Sequence, residues 1–120
     1  EKPAELLEEC HRILRNSGFM FITTGNTSSW TVRWRRQKWD YFDLKLGHIS
    51  FFNPLSMRIL ARNTGFEVVK IETRSVSLRD KESASWTVYR VAKIAAEALS
   101  LPARLLNRGH DMFVVLKKAV

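Results

Sequence analysis

This chain is organised around an amphipathic helix that runs through a three-residue turn straight into an unbroken apolar strand, as Glu5 to Asn26 reads. Leu6, Leu7, Cys10, Ile13 and Leu14 recur at helical spacing and form one apolar stripe, with Glu5, Glu8, Glu9, Arg12 and Arg15 opposite. Acidic residues crowd the first turns and basic ones the last, as the helix dipole favours, and Asn16-Ser17-Gly18 supplies a stop. Phe19-Met20-Phe21-Ile22 is apolar without alternation, which suits a strand covered on both faces, the usual state of a parallel strand in an α/β sheet. The helix is expected to cover one of those faces.

At 120 residues and 14.0 kDa the chain has room for one domain, and 45% hydrophobic with 27% charged residues excludes a disordered class. No apolar run approaches the roughly 18 residues a membrane span needs, and no signal-peptide pattern is present, which points to a cytoplasmic setting without a membrane span. The first residues, Glu1-Lys2-Pro3, lack a methionine, as in a piece of a longer protein. Cys10 is the only cysteine and lies on the apolar stripe, so a buried thiol is expected and an internal disulfide is excluded. The net charge of +8 admits a nucleic-acid, anionic-lipid or phosphorylated partner, although a solvated basic surface is the plainer explanation.

Further along, Ser28 or Ser29 is placed to cap a short helix from Trp30 to about Gln37, with Trp30 and Trp34 on one face among Arg33, Arg35 and Arg36. Trp39, Tyr41 and Phe42 follow. Such density suits a satellite core under a long loop, a substrate-facing lid, or a nucleic-acid stacking platform. Asn53-Pro54 announces the next helix, with Leu55, Ile59 and Leu60 expected on its buried side and Gly65 as its left-handed stop. Phe66 to Ser75 alternates, Val69, Ile71 and Thr73 against Lys70, Glu72 and Arg74, as a half-exposed strand at or near a sheet edge would. Residues 80 to 85 read as a loop. Trp86 to Ser100 is helical in pattern through Val88, Val91, Ala92, Ala95, Ala98 and Leu99, and Pro102 is expected to interrupt it before a shorter helix holding Leu105 and Leu106. After the turn at Gly109-His110-Asp111, Met112 to Leu116 is continuously apolar and belongs inside the sheet.

Three segments, in this order, resemble the C-terminal half of class I S-adenosylmethionine-dependent methyltransferases, especially the group of small-molecule and ubiquinone-biosynthesis-like enzymes. Glu8 to Phe19 running into Phe21-Ile22-Thr23-Thr24-Gly25-Asn26 is similar to that family's helix, turn and fifth strand. The family turn usually reads Pro-Gly-Gly where this chain has Asn16-Ser17-Gly18, and often carries Pro where Gly25 stands. His48-Ile49-Ser50-Phe51-Phe52-Asn53-Pro54 is similar to the family segment before a helix ending in Gly65-Phe66-Glu67-Val68, and Gly109 to Lys117 to its closing antiparallel strand. The resemblance implies an α/β fold: the C-terminal half of a Rossmann-like methyltransferase, a mixed three-stranded sheet with flanking helices. Residues 1–120 would be one domain, with about 77–108 a helical insertion before the last strand.

By the same resemblance the cofactor is S-adenosylmethionine and the partner a small-molecule methyl acceptor, whose anionic or lipid-linked character would suit the basic, aromatic surroundings. The family's glycine-rich loop and acidic ribose ligand have no counterpart here, since no Gly-x-Gly-x-Gly occurs, so this piece alone is expected to be inactive and to contribute no cofactor-binding residue. His48 is the candidate base, against a substrate-wall or purely structural histidine, because an oxygen nucleophile must lose its proton and imidazole titrates near pH 6.5. Asn26, Trp30, Trp34, Trp39 and Tyr41 are the candidate substrate-binding residues, Asn26 also reading as an ordinary turn former. His11, His48 and His110 with one cysteine offer no metal-ligand spacing. Two other readings compete: a basic module gripping nucleic acid through Arg33 to Lys38 with Trp30 and Trp34, and a cationic face from Trp86 to Leu106 laid on an anionic membrane. A bare strand edge at Phe19 to Thr23 would invite a homodimer.

Overall fold

A computed structural model describes residues 2–36, 50–76 and 85–120, which form an α/β unit. The order is α1 (Pro3–Ile13), β1 (Phe19–Gly25), α2 (Trp30–Arg35), α3 (Pro54–Asn63), β2 (Phe66–Arg74), α4 (Trp86–Leu105) and β3 (Asp111–Lys118). The three strands lie in the order β1-β3-β2, so the continuously apolar β3 is central and the alternating β2 is at an edge. Both pairings are antiparallel, Phe19 facing Lys117 and Phe66 facing Lys118. The parallel component is confined to one isolated bridge between Asn26 and Phe52.

One sheet face carries the core. Met112, Val114 and Leu116 of β3 are buried there against Leu7 of α1 and Met57 and Ala61 of α3, with Met20, Ile22, Val68 and Ile71 packed around them. Helix α1 therefore covers β1 as expected, and Cys10 is partly buried against this core. Expected and observed stripes differ in α3, where Leu55 and Ile59 are exposed while Met57 and Ala61 are buried. The small Ala61 lets the helix approach the sheet, and the stripe Met57, Leu60, Ala61, Thr64 turns the two larger residues outward. Ile13 of α1 is likewise exposed.

The opposite face is open along β1. Phe19 and Phe21 are exposed, so the expectation of a strand covered on both sides fails, and only alternate residues of the apolar run pack. On β2 the register shifts between Val68 and Lys70, and Val69 bulges outward instead of joining Ile71 and Thr73. At the far end of β2, α4 reaches this face through Glu72 and a small cluster of Val76, Ala96 and Ala103 with Trp30. Helix α4 runs unbroken through Pro102, contrary to the expected interruption. Its packed residues are Ala96 and Ala103, leaving the larger Val88, Val91 and Leu99 exposed.

Local signals hold where backbone chemistry decides. Asn53 and Ser56 form a reciprocal capping box at α3, Oδ1 of Asn53 accepting from Ser56 N at 2.8 Å and Oγ of Ser56 accepting from Asn53 N at 2.9 Å. Gly65 ends the helix at φ 83°, and a Cβ there would also meet His11 Nε2 at 2.8 Å. The His11 ring also sits edge-on to Phe66 at 5.3 Å. Lys118 extends its Nζ to the carbonyl of Leu14 at 2.8 Å, a cation placed at the C-terminal end of α1.

Candidate active site

The loop after β1 is pinned from three directions. Asn26 is fully buried: its backbone N–H donates to His110 O at 2.9 Å, and its side-chain amide donates to Asn107 O at 3.1 Å and Gly109 O at 2.9 Å. Its Oδ1 accepts from Ser28 N at 3.0 Å, closing an Asx turn. Thr27 binds Phe52 O through both its N–H, at 2.9 Å, and its hydroxyl, at 3.1 Å. Ser29 then caps α2, Oγ accepting from Val32 N at 3.1 Å, and Trp30 N–H donates to Arg108 O at 3.0 Å. Every polar atom of the Asn26 side chain is used within this junction, so it braces the site.

Gly109 completes the junction by close approach. Its N–H donates to Thr73 Oγ1 at 3.0 Å, and a Cβ in its place would meet Arg74 N at 2.5 Å.

Two hollows flank the loop. The first, of about 330 Å³, opens beside β1 between α1 and α3; Leu6, Met20, Ile22, Phe52, Met57 and Leu60 give it apolar walls, and Thr23, Thr24 and Ser50 its polar margin. The second, of about 320 Å³, is polar and basic, lined by Thr27, Ser28, Ser29, Trp30, Val32, Arg33 and Arg108. Arg108 donates from its guanidinium to Ser28 O at 3.0 Å.

Of the candidate residues, Asn26, Trp30 and Trp34 are described. Asn26 lines neither hollow, whereas Trp30 lines the basic one while packing on the Val76, Ala96 and Ala103 cluster. Trp34, one helical turn on from Trp30 in α2, is 69% exposed. His48, Trp39 and Tyr41 lie outside the described residues, as do Lys38, Phe42 and the loop from 80 to 84. Arg108 was indistinguishable in sequence from the general basic excess; the turn at Asn107, φ 55°, brings it to the β1 loop across 80 residues. Among the described residues, no group of three or more His, Cys, Asp or Glu is placed to hold a metal ion.

The decisive observation is a family model: residues 1–71 match that of a methyltransferase domain. The chain belongs to the methyltransferase-domain family. It is also similar to the crystal structure of a SAM dependent methyltransferase from Archaeoglobus fulgidus, with 25% identity and a TM-score of 0.56 over 98% of this chain. That match takes in 54% of the solved protein, so this chain spans about half its length. A comparison with curated proteins finds no match. The solved protein is by its description SAM dependent. The sequence holds no glycine-rich Gly-x-Gly-x-Gly turn, and the polar side chain at the end of β1, Asn26, is committed to the backbone around it.

Proposed function

We propose that this chain is the C-terminal, acceptor-holding part of an S-adenosylmethionine-dependent methyltransferase that methylates a small-molecule or lipid-linked acceptor in the cytoplasm, and that it is inactive alone. The observation that carries the reading is the apolar groove beside β1, next to a rigid loop, in a chain whose first 71 residues match a methyltransferase domain. An apolar wall with a threonine and serine margin suits an acceptor that is mostly hydrocarbon or aromatic. Arg33 and Arg108 in the adjoining hollow favour an anionic group on it.

The work of these residues is to orient the acceptor, exclude water and take up a proton. His48 is our candidate for the base. In the sequence it lies four residues before Phe52, which lines the groove. A neutral imidazole there would accept the proton of the acceptor hydroxyl as its oxygen becomes nucleophilic. Trp30, Trp34, Trp39 and Tyr41 would form the acceptor side, and Asn26 would hold the loop that carries it. In this reading residues 1–120 form one domain and about 77–108 is a helical insertion before the last strand. The outer edge of β1, unpaired among the described strands, would support a homodimer; a monodisperse monomer in light scattering at high concentration would remove that part.

Calorimetric titration of S-adenosylmethionine into the full-length protein is expected to show binding, with this chain alone silent. A full-length protein that does not bind it overturns the reading. His48→Ala in the full-length enzyme is expected to lower kcat by about 10²- to 10⁴-fold and to abolish the limb of the pH–rate profile near the imidazole pKa. An unchanged profile would return His48 to the groove wall.

A further inference from the structure

Helix α4 is poorly explained as a core element. It meets the protein through small residues, Ala96 and Ala103, while its large apolar side chains face solvent: Ile94 is 64% exposed, Leu101 63% and Leu105 75%. At 100° per residue, the exposed apolar residues from Leu101 round to Leu99, Val91 and Leu106 among them, fall within one arc of about 160°. Arg90 and Lys93 border that arc on one side with Glu97, the only acid of the helix, between them, and Arg104 of the same side is ion-paired with Glu72 of β2. Trp86, also exposed, stands at the N-terminal end with Arg90 over its ring at 6.0 Å.

We propose that α4 is a membrane-surface element that lays this apolar arc into the interface of an anionic lipid bilayer. The helix is not built to span: no helix among the described residues is long and apolar enough to cross a membrane. A helix lying in the interfacial plane needs a broad apolar face, a cationic rim and an aromatic residue at the boundary, and α4 has all three. Charge decides between a lipid surface and a second copy. A protein of net charge +8 with a basic rim beside the apolar face repels its own duplicate and is attracted to anionic headgroups, each basic residue near the surface adding to binding. The width of the arc agrees, because helix pairing needs only a narrow seam.

The test is sedimentation of the protein with phosphatidylcholine vesicles and with mixed phosphatidylcholine–phosphatidylglycerol vesicles, for the unaltered chain and for a Leu101→Ser, Leu105→Ser double variant. Both positions are well exposed, so an unchanged far-ultraviolet circular dichroism spectrum is expected. The unaltered chain is expected to bind the mixed vesicles, more weakly in high salt, and the double variant to bind at least about tenfold more weakly. Equal binding to both vesicle types, or undiminished binding by the variant, overturns the proposal. So does failure to bind together with a concentration-dependent dimer that the variant abolishes, which would make the arc a self-association surface. Failure to bind with no dimer overturns it equally. None of these outcomes depends on the methyltransferase reading.

Discussion

The two faces of the sheet are built from the same apolar runs and have opposite fates. Toward α1 and α3, Met112, Val114 and Leu116 are sealed by Leu7, Met57 and Ala61. On the other side, Phe19 and Phe21 of β1 face outward and Phe113 of β3 is partly covered by Arg74, whose guanidinium lies 5.1 Å from the ring centroid. The first face is closed by helices adjacent in sequence to the strands they cover, α1 before β1 and α3 before β2. The second has, among the described helices, α4 alone, which touches the end of β2 and keeps its own apolar side turned away. Burial on this sheet follows which helices lie close along the chain, and hydrophobicity alone does not announce it.

The contrast breaks most sharply in the core. Met112→Ala is expected to cost about 2–5 kcal/mol in urea unfolding, because the side chain is fully buried and its neighbours can close the cavity only in part. A loss near zero would mean that the closed face is not closed. Asn26→Ala should come next, at about 1–3 kcal/mol, since it leaves two carbonyls of the Asn107–Gly109 turn without their donor and opens the Asx turn. Asn53→Ala removes half of the capping box on α3 and is expected to cost about 1 kcal/mol by thermal melting. On the open face, Phe21→Ser, at a position 75% exposed, should fall within about 0.5 kcal/mol of the parent; a large loss there would show that something covers β1.

The smallest effect is best read as a shape. Glu72 is mostly enclosed among Arg74 at 2.8 Å, Lys70 at 2.7 Å and Arg104 at 2.6 Å, the last reaching across from α4. Hydrogen bonds from Arg74 and then Lys70, helped by the charge of Arg104, hold its carboxyl down from 4.5 to about 2 despite some desolvation. A carboxyl with a depressed folded-state pKa stabilises the protein above its unfolded value and ceases to do so as pH falls through the folded one. The parent's advantage over Glu72→Gln should therefore be present above about pH 4.5 and fade toward pH 2. A difference that does not vary over that window would remove Glu72 as the tie between α4 and the sheet.

Much of the architecture was legible because it rests on short-range chemistry. The Asn53 cap, the Gly65 stop, the Ser29 cap and the central place of Met112 to Leu116 each depend on neighbours a few residues away or on an unbroken apolar run. The readings that failed weighed side-chain size without knowing the neighbour. Leu55 and Ile59 looked more buried than Met57 and Ala61, Val69 looked paired with Ile71, and Pro102 looked like a break. The site was half legible in the same sense: Asn26 was singled out, but its amide is taken by carbonyls 81 and 83 residues away.

The order of elements, their caps and the family resemblance were determined by the sequence itself, because hydrogen-bonding geometry and hydrophobic period act locally along a chain. Tertiary structure alone decided which face of each element is covered, that Asn26 is a brace, that Arg108 meets the β1 loop, and that α4 shows its apolar side to the outside. Those outcomes depend on contacts between residues far apart in sequence, and periodicity records only that a face is apolar, without recording what, if anything, lies against it.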